Sequence, residues 1–319
     1  MKICLTGATG FIGSSLVESL LTKNVSVLTL SRSVVNMHSD IDVLKVDFNN
    51  LSSLDVGRLA GCYSLIHTAA CSSVVSTNEA EILSKYRKIN RDITLELAKL
   101  AAAAGIKRFV FLSSIKVNGD LTQEGKRFSS DSFCAPNNPY ALSKYEAEKG
   151  LLDIARNTDM EVVIIRPPLV YGPKVKANFS LMTTWVKRGI PLPFSLVDNR
   201  RSLIALDNLI DFIIFCSDRE RSARAANEIF LISDGEDIST SSLLLKIAEA
   251  YGLKSKLFPF SVSLMKFIAK LLGKKNIADR LFGNLQIDSS KAKDLLDWEP
   301  VIDMDGQLRK MAEHDQKVS

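Results

Sequence analysis

Short apolar runs alternate with segments of helical periodicity through the first half of the chain. Ile3-Cys-Leu5 reads as a strand, Phe11 to Lys23 as a helix and Val25 to Leu30 as the next strand. Val43 to Val46 and Ser64 to Ala69 follow as strands, then a long helical stretch from about Asn78 to Ala104, closed by Gly105. Arg108 to Ser113 reads as a strand, Pro139 to Asn157 as a helix and Glu161 to Arg166 as a strand. Runs such as Phe109-Val-Phe-Leu112 and Val162-Val-Ile-Ile165 have no polar face to turn to water. They predict an α/β fold with a parallel sheet covered by helices on both sides. After Pro167-Pro168 the pattern loosens at Pro173, Pro191 and Pro193, with helices from about Asp207 and Thr240 and a short apolar run Ile229-Phe-Leu-Ile232. The organisation expected is a first domain over residues 1–167, a segment near 204–232 returning to its sheet, and a smaller lobe made mainly of residues 168–319.

Composition narrows the classes. The chain has 319 residues, 46% hydrophobic and 24% charged, as in an ordinary globular protein that needs no disulfide or metal staple. Its net charge of +5 reads as scattered along the chain, which argues against a nucleic-acid partner. Five cysteines, with no CxxC pair, and three histidines form no framework or ligand cluster, so no metal is expected and a reducing, cytoplasmic setting fits. The amino terminus reaches Gly7 after too short an apolar run for a signal peptide, and no uninterrupted stretch of about 18 apolar residues exists. Val262 to Lys275 carries Leu264, Phe267, Ile268, Leu271 and Leu272 at helical spacing. That stripe reads as a face packed on its own domain, with weak contact to a membrane surface as the alternative.

Thr6-Gly7-Ala-Thr9-Gly10-Phe11-Ile12-Gly13 joins the first strand to the first helix. Gly7 permits a tight turn, Gly10 a close approach of backbone to a pyrophosphate, and Gly13 close helix–sheet packing; Thr9, Phe11 and Ile12 complete the loop. The helix amino terminus adds free N–H groups and positive partial charge. These features predict a doubly wound Rossmann sheet that binds a nicotinamide dinucleotide. The second strand closes Leu30-Ser31-Arg32-Ser33 without the carboxylate that would bind ribose hydroxyls. Arg32 suits a 2′-phosphate, with Ser31 and Ser33 as further donors, which favours NADP(H) over NAD(H). Alternatively Arg32 lies over the adenine ring. Asp47, after the third strand, is placed to meet the adenine amino group.

Tyr140 and Lys144 share one helix face. A free tyrosine is a poor base at neutral pH, and a lysine ammonium beside it is expected to lower its pKa so that it exchanges protons with an alcohol or ketone. Ser114, ending the preceding strand, is placed to hydrogen-bond the same oxygen. Tyr145 and Lys149 repeat the spacing but point roughly 140° away, and read as a surface pair.

TGATGFIG, Ser113-Ser-Ile-Lys-Val-Asn-Gly119, Tyr140xxxLys144, Arg166-Pro-Pro-Leu-Val-Tyr-Gly172 and Asp297-Trp-Glu-Pro300 together resemble the extended short-chain dehydrogenase/reductase family, which includes the UDP-glucose 4-epimerases. The resemblance implies a Ser114/Tyr140/Lys144 catalytic set, with Asn90 supporting the cofactor site through the long helix. Phe111 to Gly119, Val175 to Phe179 and Asn199 to Leu203 further resemble a surface-polysaccharide (O-antigen) subgroup of UDP-N-acetylquinovosamine dehydrogenases, which act as 4-ketoreductases. It implies that Asn178 and Arg201 hold the UDP pyrophosphate, with Phe194 near the uracil and Arg280 a weaker candidate beside them. From the residues alone Arg201 is as readily a solvated charge. The family's 4,6-dehydratases carry Asp-Glu where this chain has Ile115-Lys116, which argues against dehydration. The expectation is a reductase of UDP-4-keto-6-deoxy-N-acetylglucosamine, with a UDP-hexose 4-epimerase as the alternative and a non-catalytic NADP(H) sensor as a distant third. The resemblance also implies a homodimer, paired across a two-fold axis through the helices around 90–104 and 140–157.

Overall fold

The structure, a computed structural model, describes residues 2–33, 40–74, 76 and 78–318; the side chains of residues 177, 178, 275, 276 and 318 lie outside that description. Seven strands form one all-parallel sheet: β1 (Lys2–Thr6), β2 (Ser26–Ser31), β3 (Asp42–Lys45), β4 (Ser64–His67), β5 (Arg108–Leu112), β6 (Glu161–Arg166) and, from much further along, β9 (Ile229–Leu231). Their order is β3-β2-β1-β4-β5-β6-β9. The order reverses direction between β1 and β4, so a crevice opens there at the carboxyl ends of the strands, where such sheets bind ligands.

Alternation along the strands builds two cores. Ile3, Leu5, Val110 and Val163 face one side, under α1 (Phe11–Thr22) and α6 (Leu206–Ser217). Cys4, Leu65, Phe109 and Phe111 face the other, under α3 (Ile93–Ala103) and α4 (Pro139–Arg156). Of the segment expected to return to the sheet, only β9 enters it; α6 covers it. The long helix predicted over 78–104 is not one continuous α-helix. α2 (Glu79–Arg87) passes through a π turn at Lys88–Asp92 before α3 begins. A π turn inserts one extra residue per turn and rotates the helix beyond it, a feature that recurs at functional sites.

The remaining residues build a second layer. β7 (Leu169–Tyr171), β8 (Arg201–Ala205) and β10 (Asp237–Ile238) make a small sheet ordered β10-β8-β7. Against it pack α5 (Ala177–Lys187), α7 (Thr240–Ala250) and α11 (Met304–Val318), around Phe179, Leu244 and Leu308. The closing DWEP stretch is a tether. Asp297 ends α10 (Ser290–Leu296) in the left-handed conformation, and Trp298 donates from Nε1 to Asp211 at 2.9 Å while its ring meets Phe212 edge-on. α8 (Val262–Leu271) and α9 (Lys275–Phe282) complete the lobe.

Candidate active site

The glycine loop is shaped by what a side chain would strike. Gly7 has φ +81°, and a Cβ there would lie 2.6 Å from Thr68 Oγ1. A Cβ on Gly13 would lie 2.0 Å from the Gly7 carbonyl oxygen, so only glycine lets α1 start this close to β1. Gly10 sits at the N-cap with no side chain to occupy the first-turn amides of α1. Those amides open into a cavity of about 360 Å³. Gly10, Phe11, Ile12, Ser114 and Tyr140 all line it. Exposed Thr9 stands on the same loop. A glycine cradle with free helix-terminal N–H groups fits a dinucleotide pyrophosphate. A larger depression of about 610 Å³ on the outer face of α2 and α3 contains none of the candidate residues, and its Arg87 and Arg91 are paired with Glu146.

Tyr140 lies in the first turn of α4 because Asn138 caps the helix, accepting from Ala141 N at 2.9 Å, and Pro139 takes the first helical position, where no N–H is needed. Ser114 and Tyr140 line the same cavity, with Ser114 near enough to act on the Tyr140 hydroxyl. Its electrostatics reverse the expectation. Burial pushes Tyr140 up to about 12, with the Ser114 hydroxyl pulling the other way. Lys144, one turn on and fully buried, is pushed by burial down to about 7, opposed by the carboxylate of Glu148. Burial, which disfavours the charged form of each, is the largest effect on both groups. Lys144 Nζ stands 3.8 Å from the centre of the Phe111 ring. Tyr145 and Lys149 form a surface pair, Lys149 Nζ 5.6 Å from the tyrosine ring centre.

Below the set lies a buried network that sequence reasoning missed. Ser113 donates to Glu148; Arg166 clamps the same carboxylate through Nε at 3.0 Å and Nη2 at 2.6 Å, and donates from Nη1 to Asn118 Oδ1 at 3.0 Å. The signals were present: Glu148 follows Lys144 by four residues, and Arg166 ends an apolar strand. His67 was also missed. Its Nδ1 pairs with Thr6 Oγ1 at 2.6 Å and its Nε2 with Thr94 Oγ1 at 2.9 Å. Burial first, and the Lys144 charge second, lower it to about 3.

Asn90 occupies the π turn, and its amide is engaged within the protein. It accepts from Cys71 N at 2.8 Å and donates to Cys71 O and Ser143 Oγ. Ser143 Oγ in turn donates to Tyr140 O at 2.7 Å. Asn90 therefore ties the loop after β4 to the Tyr140 turn.

On the lobe side, Arg201 opens β8, half-buried, with Nη1 donating to Gly283 O at 3.1 Å. Burial lowers its pKa to about 10, helped by the charge of Arg280 and opposed by Asp120. Arg280 is exposed on α9. Lys116, not singled out as a site residue from the sequence, joins them: its Nζ is 5.9 Å from the Tyr140 ring centre, and burial and then Arg280 lower its pKa. Asn178 is in the first turn of α5, its side chain outside the described residues. Phe194 is buried against Trp185 and Phe282, so its ring serves the lobe core and only its backbone remains for a base. At the other end Arg32 is exposed just past β2, and residues 34–39 beyond it lie outside the described residues. Ser31 donates from its hydroxyl to Ser33 O at 2.9 Å, a local turn. Asp47 is exposed and accepts from Asn49 N at 2.9 Å.

A parallel sheet reversing at β1/β4, a glycine cradle and a serine–tyrosine pair at one cavity define a dinucleotide-binding α/β enzyme architecture. Residues 3–232 match the NAD dependent epimerase/dehydratase family, and the chain belongs to it. It is 43% identical over 301 residues to the UDP-glucose 4-epimerase of Vibrio cholerae, covering 94% of this chain and 90% of that one. Among solved structures it resembles a UDP-glucuronic acid 4-epimerase of Bacillus cereus in complex with NAD (TM-score 0.78, 20% identity, 100% and 97% of the two chains). It also resembles a dTDP-glucose 4,6-dehydratase of Bacillus anthracis in complex with NAD (TM-score 0.77, 20% identity, 99% and 97%). Epimerases and dehydratases share this fold, so the fold alone does not choose between reactions.

Proposed function

We propose that this chain is a UDP-hexose 4-epimerase that keeps a nicotinamide dinucleotide bound through turnover. The observation that carries the reading is that Ser114 and Tyr140 line the same cavity as the glycine loop and first turn of α1. In this reading residues 1–167, with 204–232, hold the dinucleotide, and residues 168–319 hold most of the substrate. The dinucleotide supplies a hydride acceptor and donor at C4 of the sugar. Tyr140 first releases its own proton to solvent and, as the phenolate, takes the proton of the C4 hydroxyl while Ser114 holds that oxygen; after the keto sugar presents its other face Tyr140 returns the proton. Lys144 supplies a nearby positive charge, which the Glu148 carboxylate favours. Arg201, Arg280 and Asn178 meet the UDP diphosphate. The Vibrio cholerae relative, itself named a UDP-glucose 4-epimerase, supports this reading over the reductase.

The 4-ketoreductase, with NADPH as a consumed substrate, is the second reading, and the observation favouring it is exposed Arg32 with no carboxylate beside it. One experiment separates them. Purified protein is incubated with UDP-glucose and no added dinucleotide, and UDP-galactose is followed by chromatography. Its formation, without net change in reduced-nicotinamide absorbance, is the expected result. No epimerisation, together with NADPH oxidation matching loss of UDP-4-keto-6-deoxy-N-acetylglucosamine, overturns the proposal.

A further inference from the structure

The stripe at 262–275 does not pack as expected. Only one side of α8 meets the lobe, through Val262, Met265 and Ala269. Leu264, Phe267, Ile268, Leu271 and Leu272 face away from it, 46%, 58%, 42%, 70% and 66% exposed, and no α8 residue is buried. At about 100° per residue, the four of them within α8 occupy one arc roughly 100° wide, a continuous apolar face. Phe260, just before α8, and Ile277, on adjoining α9, are exposed too.

Nor is the positive charge scattered. Residues 250–278 contain six lysines and no acidic residue, more charge than the +5 of the entire chain, so the remainder is slightly negative. Lys254, Lys256, Lys266, Lys270 and Lys274 are all exposed. Helix geometry puts Lys266 and Lys270 along one flank of the apolar arc, where their stems can lie beside it and their ammonium groups reach outward.

We propose that α8 and its lysines form a docking surface for an anionic phospholipid bilayer, with the helix lying in the plane of the interface. Burying an apolar arc among acyl chains while flanking lysines meet lipid phosphates is how such helices bind. A second copy of this chain is a poor occupant: a two-fold contact would bring two like-charged patches together. An acidic protein partner is the competing occupant.

The test is sedimentation of the full chain with vesicles. It should bind vesicles of equal parts phosphatidylcholine and phosphatidylglycerol at least about tenfold better than phosphatidylcholine alone, and less as salt rises. Each of Lys266→Gln and Lys270→Gln should lower partitioning about fivefold. Phe267→Glu with Leu271→Glu should abolish it while leaving turnover of UDP-sugar unchanged, which also shows that the variant folds. Absence of binding to the anionic vesicles, or equal binding by the double variant, overturns the proposal. So does a lipid-free sedimentation profile in which the double variant dissociates a larger assembly while wild type ignores vesicles, for then the face is a protein interface.

Discussion

Tyr140 and Lys144 are one helical turn apart, yet burial moves their pKa values in opposite directions, to about 12 and about 7. The phenol therefore rests protonated, and Tyr140→Phe should lower turnover by about 10²–10⁴-fold while leaving UDP affinity intact by calorimetry. Unchanged turnover would remove Tyr140 from the chemistry. His67 carries a pH dependence of its own. In the fold it stays neutral down to about 3, whereas the unfolded chain takes up that proton near 6.5. Between those values the unfolded state binds more protons, so stability falls as pH drops through 6.5 and levels off near 3. The loss is on the order of 4–5 kcal/mol at most. Urea midpoints against pH should show that slope in wild type and a shallower one in His67→Gln; parallel curves would assign the acid sensitivity elsewhere. Arg166 poses the complementary case. It and Glu148 are each 2% exposed at the side chain, so Arg166→Met leaves a buried carboxylate without its partner, at a cost of about 3–5 kcal/mol in denaturant titration. A double variant with Glu148→Gln should recover part of that loss.

At the level of elements, legibility followed periodicity and capping. β5 and β6 could be read because five successive residues of each are hidden, so composition alone betrays them. α4 could be read because Asn138-Pro139 is a start signal that the fold uses as such. The π turn at Lys88–Asp92 was invisible, since inserting one residue leaves the apolar spacing on either side looking helical. β7, with three residues, and β10, with two, are too short to establish an alternation. α8 shows the deeper limit: its spacing declares an apolar face but not whether anything covers it. At the β1–α1 junction the tight turn at Gly7 and the close packing at Gly13 were legible as residues, and the contacts around them carry a prediction. In Gly13→Ala the methyl meets a backbone carbonyl that cannot rotate away, so α1 must move off β1. Overpacking of this kind typically costs about 1–3 kcal/mol. The variant should melt lower and purify without nicotinamide, read from the absorbance of the extracted cofactor. Full dinucleotide content would mean that close packing is not what forms the cradle.

Across the whole molecule, the sheet brings the proton-handling groups and the lobe brings positive charge. Arg201 and Lys116 are both depressed by burial and by the charge of Arg280, so three cations crowd one region, with Asp120 opposing at Arg201 and Lys116. Such an arrangement is electrostatically unfavourable until an anion joins it, and a diphosphate carries the charge to do so. Stability and function then pull in opposite directions at Arg280. Without ligand, Arg280→Met removes a like charge from its neighbours, so the melting temperature should hold or rise. With UDP present the order reverses. Wild type, at a UDP concentration about 100-fold over Kd, gains about 2.7 kcal/mol. The variant should lose most of that gain at the same concentration, because one charged hydrogen bond is worth about 1.5–3 kcal/mol, or roughly ten- to a hundredfold in Kd. KM for the UDP-sugar should rise with Kd while kcat stays near wild type, since Arg280 is exposed on α9 and contributes no proton to the reaction. Thermal scans of both proteins with and without UDP decide the matter. A variant that melts lower unliganded and still responds fully to UDP would make Arg280 a structural residue and leave the diphosphate to Arg201 and Lys116.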